Sequence, residues 1–381
     1  MRDKTLPYGR QHVTEIDRRV VDQALRSDWL TTGPRVPEFE SAFAAETDAN
    51  FAIAVSSGTA ALHTAVMAAG VGPGDEVIVA AMTFAASSNA VLYAGGTPRF
   101  ADVDPETLLI HPDEVTRLFS PRTRAILAVD YAGQPCAYDS LSGIARDRGL
   151  KVIDDACHAL GARYGNRKVG SIADFTCFSF HPVKHITTGE GGMVTTADES
   201  ASRRMKAFRN HGITTDHRER AEAGTAAYDM VELGFNYRMT DFQAALGTSQ
   251  LARLGQNLES RRRIAATYDV AFAEFRYVKP LRTLPAAEHA YHLYVARFDT
   301  RSLGLSQAEL LEHFRSRRIG ANVHYRPPYL HSYYRKRLGT GEGLCPEAEK
   351  AATEIITLPL FPEMTEEDVR DVVEAVRALG S

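Results

Sequence analysis

The sequence predicts an α/β protein: a mostly parallel central sheet covered on both faces, followed by a smaller α+β C-terminal unit. Three observations carry this. Short β-rich runs alternate with helical stretches between residues 51 and 196, the pattern of a parallel sheet with crossover helices. Several apolar runs stop at polar clusters, and open α/β sheets bind ligands beyond the carboxyl ends of their strands. Past the middle of the chain the alternation gives way to a strand and closing helices, so we expect a large domain over 1–254 and a small one over 255–381.

Apolar residues recur at helical spacing over 13–25, then Ser27-Asp28-Trp29-Leu30-Thr31-Thr32-Gly33-Pro34 breaks the pattern before a second helix at 36–45. Strands are expected at 51–55, 76–80, 97–101, 124–129 and 151–155, with helices at 59–69, 84–94 and 140–148 between them. Shorter strands follow at 175–180 and 193–196, then a helix at 201–210. The polar stretch 212–224 reads as a functional loop. One long helix is expected from Thr240 toward Val270, linking the two domains. Beyond it, 292–298 reads as a strand, and 306–316, 346–356 and 365–379 as helices.

Composition narrows the function classes. The 381 residues are 44% hydrophobic and 24% charged, which excludes disordered and collagenous chains. Against 44 Lys+Arg stand 48 Asp+Glu, a net charge of −4, so the basic excess of a nucleic-acid binder is missing. Cys136, Cys157, Cys177 and Cys345 lie far apart with no C-x-x-C pair, which argues against a zinc knuckle or a disulfide framework and for reduced thiols in the cytoplasm. No metal site is expected. No run approaches the roughly 18 apolar residues that a membrane helix needs, and the first residues, MRDKTLPYGRQ, hold no apolar stretch.

Three clusters can carry chemistry. Ser56-Ser57-Gly58-Thr59-Ala60-Ala61 stands where a strand ends and a helix begins. Unpaired N–H groups and the dipole there suit an anion, and plain N-capping by Ser57 or Thr59 is the equal alternative. Val152-Ile153-Asp154-Asp155-Ala156-Cys157-His158 delivers two carboxylates at a strand end. Alternation sends them to opposite sides, so only one faces a site while the other caps a turn or pairs with a base. His158 is a stacking or hydrogen-bonding candidate, although a lone His is more often structural. The third run, from Cys177 to Gly192, takes an apolar strand through Ser179 and a bend holding His181, Lys184 and His185 into a Gly-rich turn. A partly desolvated lysine favours the neutral amine that Schiff-base chemistry needs, whereas an ordinary loop lysine is merely solvated. Lysine, carboxylate and anion pocket together are the set that pyridoxal phosphate requires.

These residues resemble the DegT/DnrJ/EryC1/StrS family of sugar aminotransferases over nearly the whole chain. The resemblance is carried by Ser57-Gly58-Thr59-Ala60-Ala61-Leu62, Gly74-Asp75-Glu76-Val77-Ile78, Thr83-Phe84, Phe100-Ala101-Asp102-Val103-Asp104, Asp154-Asp155-Ala156, Ser179-Phe180, Lys184, Gly189-Glu190-Gly191-Gly192, Gly234-Phe235-Asn236-Tyr237-Arg238-Met239 and Leu358-Pro359-Leu360-Phe361-Pro362. It implies the fold-type I, aspartate aminotransferase-like architecture and the cofactor pyridoxal 5′-phosphate (PLP, cycling with its pyridoxamine form, PMP). It also implies roles. Lys184 would be the Schiff-base lysine and proton shuttle, Asp155 the partner of the pyridinium nitrogen, and Phe84 and His158 the groups on the cofactor ring. Gly58, Thr59, Ala60 and Ser179 would hold the phosphate, with Asn236 arriving from a second subunit of a homodimer.

Within the family, Pro7-Tyr8-Gly9-Arg10-Gln11, Leu30-Thr31-Thr32-Gly33-Pro34, Asp130-Tyr131-Ala132-Gly133-Gln134-Pro135-Cys136 and the run from Ser179 to Thr188 resemble the branch that serves pseudaminic acid biosynthesis. Gly9 and Pro182-Val183 depart from it. That branch implies transfer of an amino group from L-glutamate to C4 of UDP-4-keto-6-deoxy-N-acetyl-L-altrosamine, the alternative being another UDP- or dTDP-linked 4-keto-6-deoxyhexose. Tyr8, Leu30, Thr31, Thr32 and Gly33, and His324, Tyr325, Arg326 and Pro327, match its sugar-nucleotide contacts; Ser57 and Arg238 are further substrate-binding candidates, although a basic loop residue such as Arg238 is usually only solvated. Two rivals remain at this stage: a pyridoxamine-dependent dehydration, in which His replaces the lysine, and a regulatory or binding protein on the same fold.

Overall fold

The computed structural model describes residues 3–215 and 217–380. Two helices, α1 (Glu15–Leu25) and α2 (Arg35–Thr47), precede the sheet. Its strands are β1 (Phe51–Val55), β2 (Glu76–Ala80), β3 (Thr97–Ala101), β4 (Thr123–Val129), β5 (Lys151–Asp155), β8 (Phe175–Ser179) and β9 (Gly192–Thr196), with the two-residue strands β6 (Arg163–Tyr164) and β7 (Arg167–Lys168) in a separate small sheet. The order is β1-β9-β8-β5-β4-β2-β3. Neighbours from β8 to β3 pair in parallel, and only β9 runs against its two neighbours. Every residue of β2 is buried, as a strand covered on both faces requires.

The covering helices are α3 (Gly58–Ala68), α4 (Ala85–Tyr93), α5 (Pro112–Leu118), α6 (Tyr138–Arg148) and α7 (Glu199–Phe208). α3 starts where β1 ends because Ser57 turns extended and its side chain accepts from Ala60 N–H, an N-cap. Parallel strands joined by such helices place the ends of β1, β5 and β8, and the start of α3, around one opening.

Three expectations need correction, the third in the C-terminal part. Residues 212–224 are not wholly loop: α8 (His217–Glu222) forms within them, because Arg, Glu and Ala favour a helix even where no apolar stripe shows one. Asp216, in the same stretch, lies outside the described residues. The single helix expected from Thr240 is two, α9 (Asp241–Leu251) and α10 (Leu254–Phe272). The break has a long-range cause: Ser249, Gln250 and Arg253 all bond to Asp17 of α1, which is fully buried, the last through an ion pair of 2.6 Å.

Beyond α10, β10 (Val278–Pro280), β12 (Tyr294–Phe298) and β13 (Ile355–Leu358) make an antiparallel sheet, while β11 (Ala287–Glu288) joins β6. β13 occupies the end of what reads as a helix at 346–356; the helix stops at Glu354 and the β-branched Ile355-Ile356-Thr357 pairs with β12. Ile264, Tyr268 and Phe272 of α10, Phe298, Phe314, Val372 and Val376 form a second core, which also holds Leu6.

Candidate active site

β8 ends at Ser179, and the chain turns through His181-Pro182-Val183 so that Lys184 N–H donates to the His181 carbonyl at 2.9 Å. The turn is tied back to the sheet, since Thr187 Oγ1 and Thr188 N–H both donate to the Phe180 carbonyl at 3.1 Å. Lys184 thereby points into a cavity of about 380 Å³, which it shares with Tyr8, Ser57, Gly58, Thr59, Thr83, Phe84, Asp155, Cys157, His158, Ser179, His292, His324 and Tyr325. That size suits a small cofactor or ligand. Burial lowers the proton affinity of Lys184 below the ordinary lysine range, while Cys157 and Asp155 oppose the shift. The amine is thus moved toward its neutral, nucleophilic form.

Asp155 is the carboxylate that faces the cavity. Ser87 Oγ donates to its Oδ2 at 2.6 Å, Thr83 Oγ1 lies 2.6 Å from Ser87 Oγ, and Cys157 N–H donates to its Oδ1 at 3.3 Å. A charged oxygen held this way is fixed in direction. Asp154 neither caps a turn nor pairs with a base: it points to the other side of the strand, where the Tyr138 hydroxyl sits between it and Asp130, 2.9 Å from Asp130 Oδ2.

At the helix start Ser57 is the N-cap, its Oγ taking Ala60 N–H at 3.1 Å, and the residue also lines the cavity. Ala60 has therefore spent its N–H and does not line it, whereas Gly58 and Thr59 do. A Cβ at Gly58 would stand 2.8 Å from Ser179 Cβ and 3.3 Å from Cys157 Sγ, so only glycine allows the helix start to approach β8 this closely. Phe84, just before α4, keeps its ring 58% exposed with Tyr325 5.7 Å away. His158 Nε2 meets Tyr325 OH at 3.0 Å, and burial pushes its imidazole well below the usual range, hence neutral. His324 is held by Thr357 Oγ1 at 2.8 Å and lies 5.2 Å, ring to ring, from Tyr8.

The remaining expected residues are not brought to this cavity within one chain. Thr32, Gly33 and Arg238 line a second cavity of about 200 Å³, with Lys206, Arg209 and Asn210. Leu30 and Thr31 pair with the start of α9, through Leu30 O to Asp241 N at 3.0 Å and a bridge to Thr240. Asn236 is exposed and pairs with Asn210, whose Oδ1 accepts from Arg238 at 2.8 Å. Arg326 is exposed and bonds the Leu330 carbonyl at 3.2 Å; Pro327 is buried where a short helical turn starts. Sequence reading missed Thr83, Ser87 and His292. For Ser87 a signal exists, the polar run Ser87-Ser88-Asn89 inside a helix whose other residues are Ala, Val, Leu and Tyr; for His292 only its place in His289-Ala290-Tyr291-His292.

The cavity fits pyridoxal phosphate. It offers a buried-side amine, an opposing fixed carboxylate, a helix N-terminus narrowed to glycine, and the Nδ1 atoms of His158 and His292, both buried without a partner. Among the described residues no cluster of three or more metal-ligating side chains occurs, and no helix is long and apolar enough to cross a membrane.

Comparison with known proteins agrees with this geometry. The DegT/DnrJ/EryC1/StrS aminotransferase family model matches residues 11–377. The chain is 39% identical to the spore coat polysaccharide biosynthesis protein SpsC of Bacillus subtilis over 99% of this chain and 97% of that one. Helicobacter pylori PseC, an aminotransferase involved in the biosynthesis of pseudoaminic acid, superposes with a TM-score of 0.92 at 31% identity over 99% of both chains. Spr1654 of Streptococcus pneumoniae, a proposed sugar aminotransferase solved in a PMP form, superposes with a TM-score of 0.91 at 33% identity over 98% of both chains; it is also solved in a PLP form. The chain belongs to the DegT/DnrJ/EryC1/StrS aminotransferase family, whose members work with pyridoxal phosphate.

Proposed function

We propose that this enzyme moves an amino group from L-glutamate to C4 of a nucleotide-linked 4-keto-6-deoxyhexose, with UDP-4-keto-6-deoxy-N-acetyl-L-altrosamine as acceptor, in the cytoplasm. The observation that carries the reading is the half-buried Lys184 amine, set in one cavity with the fixed Asp155 carboxylate and the α3 N-terminus. Bound there, pyridoxal phosphate supplies an electron-withdrawing ring and stores the amino group between the two substrates. Lys184 Nζ takes a proton from the donor's Cα in one half of the reaction and returns one to the sugar's C4 in the other. Asp155 presents a fixed carboxylate to the cavity, Gly58, Thr59 and Ser179 would hold the phosphate, and Phe84 and His158 would flank the ring. The retained lysine favours transamination over the dehydration route. The net charge of −4 weighs against a nucleic-acid-binding regulator.

The sugar half rests on Tyr8, His324 and Tyr325, which line the same cavity, and on the likeness to PseC. SpsC, at 39% identity, favours a second reading, another nucleotide-linked 4-keto-6-deoxyhexose bound for a polysaccharide. We further propose a homodimer. Met230, Val231, Leu233 and Phe235, between 40% and 79% exposed, run up to Asn236, and a second copy covering them would bring Asn236, Arg238 and the loop 30–33 to the partner's cavity. Enzyme loaded with pyridoxal phosphate, bleached by L-glutamate and freed of excess donor, tests the reading: the acceptor sugar restores the visible band. Recovery with the L-altro sugar alone supports it; recovery only with its epimer moves the enzyme to the second reading; no bleaching refutes glutamate as donor.

A further inference from the structure

His292 Nε2 lies 3.4 Å from Lys184 Nζ. The imidazole is 4% exposed, packs 4.4 Å from the His158 ring and 5.7 Å from His185, and leaves Nδ1 without a partner. Its backbone is held from two sides. Toward the sheet, Ala290 N–H donates to Gly133 O at 2.9 Å and Leu293 N–H to Ala132 O at 3.1 Å. Gly133 is packed so tightly here that a Cβ would come within 2.9 Å of His292 N.

The other side is stranger. Arg261 of α10 is 1% exposed, and its Nη1 donates to three carbonyls: Tyr291 and His292 at 3.2 Å, Leu360 at 3.0 Å. Among the described residues no carboxylate pairs with it, and burial pushes it down to about 10. A buried cation without an acid is expensive. Its contacts say where that expense is applied, on the two residues that deliver the imidazole to Lys184.

We infer that His292 is a further working residue of the site, its Nε2 accepting the hydrogen bond of the Lys184 ammonium and aiming Nζ into the cavity, and that Arg261 is the positioning residue that fixes it there. The inference rests on the reading of Lys184 as the reactive amine. The titratable groups facing the pair are His158, His185 and Arg261 around His292, and Cys157, Asp155, His158, His185 and His324 around Lys184. Burial first, and then neighbouring Lys184, His158, His185 and Arg261, disfavour a positive charge on His292, so the ring stays a neutral acceptor.

The test uses cofactor-free protein, pulse-acetylated across pH, with the Lys184 peptide followed by mass spectrometry. His292→Phe keeps a ring against His158 and removes the acceptor; it lowers the pH midpoint of Lys184 reactivity by about one unit, the worth of one charge-assisted bond. His292→Gln, whose amide oxygen accepts, recovers at least half of that shift. Arg261→Lys moves the midpoint the same way, and its combination with His292→Phe moves it no further than His292→Phe alone. If Arg261→Lys fails to fold, the two His292 variants decide. An unchanged midpoint in His292→Phe, an equal shift in Gln and Phe, or additive shifts in the double variant overturns the inference. Should Lys184 prove not to carry the cofactor, the functional reading fails instead, whatever the midpoint does.

Discussion

Replacing Gly58 by Ala adds one methyl group at the narrowest point of the site. The new Cβ would stand 2.8 Å from Ser179 Cβ, 3.0 Å from Ser179 Oγ and 3.3 Å from Cys157 Sγ. Ser179 Cβ is rooted in β8 and cannot rotate away, so the α3 start and the strand end must part by roughly half an ångström to reach ordinary contact. Overpacking of this kind costs about 1–3 kcal/mol. The helix-propensity gain of Ala over Gly, about 1 kcal/mol in a helix interior, is smaller at the first turn and offsets only part of it. We expect a net loss near 1–2 kcal/mol, a melting temperature lower by a few degrees, and pyridoxal phosphate bound at least tenfold more weakly, because the donors of Gly58, Thr59 and Ser179 no longer converge. Thermal melts and titration of cofactor-free protein by the visible band measure the two effects. Gly72→Ala, where nothing lies within 4 Å, is the control and should change neither. Unaltered cofactor affinity in Gly58→Ala would refute the claim that this contact shapes the phosphate site.

Phe84→Ala removes a ring that is 58% exposed; stability should change by less than about 1 kcal/mol while cofactor affinity drops roughly tenfold, as the same melts and titrations report. Asp241 is fully buried and accepts from Gly33 N–H and Arg35 N–H, both at 2.9 Å, so Asp241→Ala strands two donors at the start of α2 and should cost about 1–3 kcal/mol in urea unfolding, with Asp241→Asn losing less. One phenol has one proton, so Tyr138 cannot donate to both Asp130 and Asp154; one of these fully buried carboxyls carries a proton of its own. Burial pushes Asp130 up to about 7, so between about pH 4 and 7 the native state holds a proton that the unfolded chain has released. The group's stabilising contribution is complete below that window and is lost as pH rises through it, by up to roughly 1 kcal/mol per unit. Unfolding at stepped pH should show the slope, and Asp130→Asn should flatten it.

What the sequence disclosed depends on how locally each feature is determined. The strands of the sheet are short apolar runs closed by polar turns, and their positions read directly, as does the bend at Lys184, whereas the cap stayed open between Ser57 and Thr59. Alternation said that Asp154 and Asp155 diverge; which one faces the cavity came here from the resemblance, and only the fold shows Tyr138 waiting on the far side. The division of α9 from α10 hangs on Asp17, more than two hundred residues away, and no periodicity within 240–270 reports it. Ser87 and His292 are site residues by virtue of partners 68 and 108 positions distant. Leu30, Thr31, Thr32, Gly33, Arg238 and Asn236 match a family pattern that one chain alone does not assemble around Lys184; the proposed homodimer would complete it.

The central claim is that Lys184 is the amine that engages pyridoxal phosphate in the cavity it shares with Asp155. Loading the enzyme with the cofactor, reducing with borohydride and mapping the peptides tests it most directly. The account predicts one pyridoxyl group per chain, on the peptide containing Lys184, and none on Lys184→Ala protein; a label on another lysine, or none on the parent enzyme, would contradict it.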